Sequence, residues 1–494
     1  MSLPHRKLFA IAGRVASALL LLAAVLALTW WGTGSPRATS QNVTATAVPA
    51  PAADVIYACP AAPNNTIGGI DLDEPTASTT ITALDADSTL TYGSESLEDA
   101  TTTFDTADGG ILTVRAPGGQ ATGAVATVTT LTAGGDLRGL SAAPCAAPAS
   151  VAWIVGGSAA VGSSSELRLT NPGLTTVTAT IHLYGSTGEL TLPSSGQVAV
   201  GAGETVGVLL EAAGAADDRL ALSVEADGGV LIPALVTESL DGETPAGVDT
   251  LTAGAAPATD LTIPGVVLVE AAAQGETEAD GADSSDSPAV RVVNPAEAPA
   301  TVSISLIGAD GEEDLPGATA VTVDPGAVFD ISLAGVDPGA YAVHVTSDAT
   351  VGAAVKLVRS AGEYPDRSGA LAHDTAWVQA AADAAGSTLA VPREGGLDAT
   401  VVLTNSGAAD ATVTLTSADG EWTDEVTVPA TTTLTPRVPD EVSALVITGA
   451  GGRQVSAAAV VTTEVSGDVP GTLISVLPTV PDAAAQSSRN LRLY

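Results

Sequence analysis

The chain has 494 residues and a net charge of −39, with 56 acidic against 17 basic side chains. So acidic a surface excludes binding to nucleic acid, which needs basic partners for its phosphates, and adhesion of the folded part to anionic lipid. Aromatics make up only 3%, whereas Gly and Pro number 52 and 30, a composition suited to short strands and frequent turns rather than long helices.

Residues 1–14 carry His5, Arg6, Lys7 and Arg14 and no acid. An apolar run stands at 15–31, VASALLLLAAVLALTWW, closed by Trp30 and Trp31. A basic flank, an apolar span and an aromatic pair at its far end predict one transmembrane anchor, with the N-terminus cytoplasmic and the bulk of the chain extracellular at the cell membrane. A cleaved signal is the alternative, but Pro36 spoils the nearby cleavage positions and Ala45-Thr46-Ala47 lies too far on. Residues 32–53, rich in Ala, Thr, Ser and Pro, read as a disordered linker.

Residues 54–147 read as a β domain of less regular pattern, with strands near 55–58, 88–92, 111–115 and 123–132. Its word Thr130-Leu131-Thr132-Ala133-Gly134 recurs as Thr250-Leu251-Thr252-Ala253-Gly254, and on that basis the domain is a diverged copy of the three later units. Residues 148–258 hold the clearest repeat. Leu167 and Leu169 alternate with Arg168, Asn171-Pro172 interrupts, and alternation resumes at Ala179, Ile181 and Leu183. The second copy, in 259–372, runs through Val290 and Val292, Asn294-Pro295, then Val302, Ile304 and Leu306, behind an acidic insertion at 275–287. The third, in 373–482, runs through Val401 and Leu403, Asn405-Ser406, then Val413 and Leu415. This third unit is expected to open with Ala376-Trp377-Val378, matching Trp153 to Val155 in the first. Residues 483–494 are a tail. With a hairpin signal at Asp227-Gly228 and some seven short strands in about a hundred residues, the fold class is all-β: tandem immunoglobulin-like, Greek-key β-sandwich repeats after one N-terminal transmembrane helix.

The anchor, the cysteine-bracketed first domain, the junction Leu137-Arg138-Gly139 to Pro144-Cys145, and Trp153-Ile154-Val155-Gly156-Gly157 leading to Leu169-Thr170-Asn171-Pro172 form a recurring set. In these the chain resembles an actinobacterial family of membrane-anchored exported proteins, a domain of unknown function. The resemblance implies a place in the envelope of a high-GC Gram-positive bacterium. It supplies no activity and no catalytic residues. The third copy departs from the pattern, with Ser406 where the others have Pro.

The residue types that carry chemistry are sparse. His5 falls in the cytoplasmic tail, and His182 and His344 sit on strands facing away from the apolar set. His373-Asp374 has Ser360 and Ser368 nearby but no nucleophile elbow. Two cysteines cannot make a zinc site, and no phosphate-binding loop is present. Acidic stretches at 71–74 and 280–286 crowd carboxylates together without the spacing of a calcium loop. No catalytic residue, metal or cofactor is therefore assigned, and the protein is expected not to be an enzyme. The expected function is a membrane-anchored extracellular β-sandwich stalk, structural or protein-binding, whose partner is an envelope protein or wall polymer. The alternative is an array of modules binding carbohydrate such as cell-wall glycan, with Trp422, after the Asp419-Gly420 turn, as the ligand platform. Cys59 and Cys145 are the only cysteines, both beyond the anchor, and are expected to pair. Thiol labelling of the denatured, unreduced chain should find no reactive thiol; two per chain would refute the pairing.

Overall fold

The alternation in the sequence becomes strand faces. Val177–Gly185 buries Val177, Ala179, Ile181 and Leu183 and leaves Thr178, Thr180 and His182 partly exposed. The computed structural model describes residues 19–30, 54–67, 71–115, 122–270, 287–364, 368–449 and 454–482. The expected cytoplasmic tail, linker and C-terminal tail, and nearly all of the acidic insertion, lie outside them. The chain divides into two units, Met1–Val48 with Asn490–Tyr494, and Pro49–Arg489. In the first, residues 19–30 form a helix. Among the described residues no helix is long and apolar enough to cross a membrane, and the expected span at 15–31 runs beyond the described helix at both ends.

The second unit is all antiparallel β, built as four two-sheet modules. In the first module, Val55–Cys59, Gly110–Arg115, Thr89–Tyr92 and Glu95–Leu97 form one sheet, in that order. Thr101–Phe104, Thr76–Ala83, Ala124–Thr132 and Gly139–Pro144 form the other. The second module repeats the latter sheet as Thr205–Leu209, Ser163–Thr170, Ile232–Asp241 and Thr244–Thr252. Leu167, Leu169, Leu235 and Leu251 of that sheet share a core with Ile154, Ile181, Leu183 and Leu222 of its partner. In the third module, one long strand, Gly339–Glu363, serves both sheets. Its first half pairs with Ala258–Leu268 and Ala300–Gly308, and its second with Ala289–Val293 and Leu371–Gln379. In the fourth, Asp398–Asn405, Val455–Val465 and Gly471–Pro478 lie in one sheet and Ser387–Ala390, Ala444–Gly449 and Ala411–Ser417 in the other.

The Asn motif makes the same turn three times. Asn171, Asn294 and Asn405 are fully buried. Each Nδ2 donates to the carbonyl four residues on (Thr175, Ala298, Ala409), at 2.8 Å in every case. Each also donates across the turn, to the carbonyls of Val200, Val323 and Val428 at 2.9–3.0 Å. Each Oδ1 accepts the amide two residues on (Gly173, Ala296, Gly407). Ser406 leaves this geometry unchanged, so the turn is made by the amide side chain and does not need the proline ring.

Every module ends in a hairpin, and the last strands meet at the centre: Gly139–Pro144, Thr244–Thr252, Leu371–Gln379 and Gly471–Pro478, the first to fourth inner strands. They touch in cyclic order, first to second, second to third, third to fourth and fourth to first, which closes the four modules around a common axis. Val125, Leu140 and Ala142 of the first module join the core of the fourth. Two sequence expectations change. Leu371–Gln379 pairs along Gly339–Glu363, so it closes the third module, and Trp377 is not the counterpart of Trp153; the fourth module's first strand is Ser387–Ala390. A strand covered on both faces loses the alternation that would have placed it. The two copies of the word at 130 and 250 also occupy different places, the first in the penultimate strand Ala124–Thr132 and the second in the last strand Thr244–Thr252. The first module is related to the others by its sheet order, not by that word.

Asn405→Ala should destabilise the protein by about 2–4 kcal/mol, because buried carbonyls lose their donors. Ser406→Ala should change stability by less than about 0.5 kcal/mol. Equal effects in urea unfolding would show that the side-chain amide is not what holds the turn.

Candidate functional site

Several buried polar residues lie where modules meet. Arg291 extends its Nε and Nη2 to Asp330 at 2.8 and 2.9 Å, while its Nη1 donates to the Gly157 carbonyl of the preceding module at 2.5 Å. Its guanidinium lies 4.6 Å from the centre of the Trp377 ring. Arg168 holds the same position in its own module, three residues before the motif Asn. It pairs with Glu166 at 2.7 Å and donates to the carbonyls of Ala61 and Ala62 in the first module. In the fourth module that position is Val402, which packs into the third module's core. Position three before the Asn is therefore an inter-module contact each time. The segment from Ala61 to Thr66 is tied to the second module once more, by hydrogen bonds from Thr66 to Glu238, whose carboxyl is pushed up to about 7 by burial.

The axis itself is polar. Asp249 of the second inner strand accepts from the amides of Trp377 and Thr250 at 2.8 and 2.9 Å and lies 3.2 Å from Ser475 Oγ. Asp374 of the third accepts from the amides of Ile474 at 2.7 Å and Leu140 at 3.3 Å. Ser141 Oγ donates to Thr250 Oγ1 at 2.9 Å, which joins the first inner strand to the second. The strands approach closely: at Gly247, φ +109°, a Cβ would stand 2.6 Å from the Thr375 amide nitrogen. Arg138 is fully buried and donates through Nε to the Val469 carbonyl at 3.3 Å.

The other candidate residues do not converge. Cys59 and Cys145 are bonded across 86 positions of sequence, and Cys59 lines a cleft of about 540 Å³ between the first and second modules. Asp108, Thr113, Arg168 and Thr205 also line it. His182 pairs with Glu189 at 2.9 Å and His344 with Glu312 at 2.6 Å. Ser360 Oγ lies 3.2 Å from His373 Nδ1, but Asp374, next along the strand, is bonded to the amides of Ile474 and Leu140 and does not orient that imidazole. Ser368 bonds within its own loop, to Ala370. Asp71 accepts from the Tyr364 hydroxyl at 2.8 Å, and among the described residues no group of three or more His, Cys, Asp or Glu is arranged to hold a metal ion. The stretch 280–286 lies outside the described residues. Trp422 is half-buried against the fourth module's core, its amide bonded to Ser417 Oγ at 3.0 Å.

Residues 100–439 match the family of unknown function DUF5719. The chain belongs to that family. No curated protein matches it. The family's span begins inside the first module and ends in the fourth, so it takes in three of the four inner strands.

Arg168, Arg291 and Asp249 were given no role from the sequence, and Asp374 was weighed only beside His373. Both arginines carried a signal, three residues before the repeated Asn, whereas both aspartates lie in strands that also hold Thr, His or Gln and gave none. A fluorophosphonate probe should leave Ser360 and Ser368 unlabelled, since Asp374, the acid next to His373 in sequence, is committed to the amides of Ile474 and Leu140. Stoichiometric labelling of either would establish an active nucleophile.

Proposed function

We propose that the protein is a non-enzymatic component of the cell envelope of an actinobacterium, held at the membrane by its N-terminal segment and presenting four immunoglobulin-like sandwiches outside the cell. Its role on this reading is structural, or the binding of an envelope protein or wall polymer. The observation that carries the proposal is the helix at 19–30. Every large apolar side chain on it is more than half exposed, from Val25 at 58% to Trp30 at 83%. A helix apolar all round requires a hydrophobic surrounding, and the basic residues at 5–14 precede it as the cytoplasmic flank of an anchor would.

The acidic charge supports the exported part remaining soluble beside a membrane. The buried arginines and aspartates support a structural role, because they bond backbone across module boundaries and leave few polar groups for a ligand. The sandwiches are joined side by side, so what projects on this reading is a block and not an extended stalk. Carbohydrate binding is the second reading. The cleft beside Cys59 and Cys145, with threonine hydroxyls and the charged groups of Asp108 and Arg168, is a better place for it than half-buried Trp422.

Fractionation tests the anchor. The full chain should sediment with membranes and resist extraction by salt, and a chain starting at residue 32 should be soluble; a full-length chain recovered without detergent would contradict it. Pull-down from envelope extracts, with wall glycan as competitor, separates the two roles: capture unaffected by glycan supports a protein partner, and capture abolished by it supports the carbohydrate reading.

A further inference from the structure

The two buried aspartates at the axis form four of the side-chain hydrogen bonds that cross from one inner strand to another, and these reach all four strands. Asp249 joins the second strand to the third through the Trp377 amide and to the fourth through Ser475. Asp374 joins the third to the fourth through the Ile474 amide and to the first through the Leu140 amide. We propose that closure of the four-module ring is proton-linked: Asp249 and Asp374 hold the inner strands together as neutral carboxylic acids, and the ring loosens when they ionise.

Proton counting at Ser475 supports this. Its hydroxyl accepts the Ala142 amide at 3.0 Å and lies 3.2 Å from both the Ala142 carbonyl and Asp249 Oδ1. One hydroxyl proton cannot serve two acceptors. If Asp249 brings its own proton, the carboxyl donates to Ser475, Ser475 donates to the carbonyl, and every contact is made. At Asp374, Oδ2 accepts two amides while Oδ1 is buried without a partner among the described residues. A carboxylate so placed would keep half its charge unsolvated, whereas a neutral acid leaves only a hydroxyl there.

The charged groups facing the pair are Arg138, from the turn before the first inner strand, and Arg359, from Gly339–Glu363. Their hydrogen bonds go to backbone. Arg138 Nε goes to Val469, and Arg359 donates to the carbonyls of Val358 and Val267 at 3.0 and 2.9 Å. Burial accordingly dominates, pushing Asp249 up to about 7 and Asp374 up to about 8, the second raised further by the charge of the first. These folded values lie above the unfolded value of about 3.9. Between the two, the folded state holds protons that the unfolded chain has lost. The stabilisation is full below about pH 4 and falls as pH rises through about 7 to 8, the unfolding constant rising about tenfold per pH unit for each retained proton.

The test is urea unfolding of the full chain in detergent from pH 5 to pH 9, together with hydrogen-exchange protection factors at Leu140, Trp377 and Ile474. Stability and protection at these amides should fall with pH. Glu238 adds a slope of the same sign, so the readout is the difference from Asp374→Asn, whose amide oxygen keeps both N–H bonds. That variant should lose about tenfold per pH unit of the dependence. A wild-type slope in Asp374→Asn, or stability rising from pH 5 to pH 8, overturns the proposal. If the variant does not fold, infrared spectra of the wild-type protein at pH 6 decide: a buried protonated-carboxyl band that disappears by pH 9 supports it, and no such band overturns it.

Discussion

Four strands meet at the centre of this molecule without a backbone ladder running around them. Each inner strand is hydrogen-bonded along one edge to its own hairpin partner, and its faces are covered by other modules. Backbone groups buried this way must find partners or their desolvation is uncompensated. The partners are side chains: Asp249 for Trp377, Asp374 for Leu140 and Ile474, Ser475 for Ala142. The closure of the chain on itself depends on these few short polar residues being placed among apolar ones.

The apolar cores repeat the same sharing. Val293, Val328, Ala354 and Trp377 of the third module complete the second module's core, and Val402, Ile474 and Val476 of the fourth complete the third's. The chain is rich in small apolar residues and poor in aromatics, so each sandwich is thinly filled and gains from its neighbours' side chains. Arg168 and Arg291 fit this logic. Each lies on the outer face of a sheet and caps backbone carbonyls of the module before it, and Arg291 adds the face of Trp377.

Much of the local structure was legible in the sequence. Alternation in Val177–Gly185 placed Ile181 and Leu183 inside, and the alternation resuming at Ala179, Val302 and Val413 fell within the second strand of every copy, each of which begins two residues earlier. The Asn turn was visible as a motif, with a proline after the Asn in two of its three copies; the structure assigns the turn to the side-chain amide, which explains why Ser406 is tolerated. The last strand of the third module was misplaced because Leu371–Gln379 is buried on both faces and shows no period-two pattern. Asp249 was missed, and Asp374 was weighed only beside His373, for a related reason. A single acid in a strand that also carries Thr, His or Gln looks like a solvent-facing residue until a second layer is known to cover it, and that layer comes from modules distant in sequence, 226 residues away for Ser475 and Asp249.

The central claim is that four modules form one body closed at the inner strands, with the first packed on the fourth. Native-state hydrogen exchange tests it most directly, by comparing the opening free energies of the Leu140, Thr250, Trp377 and Ile474 amides as urea is raised. A closed ring predicts that all four merge into one opening with the global unfolding of the protein. Four separate openings, each following the stability of its own module, would contradict it.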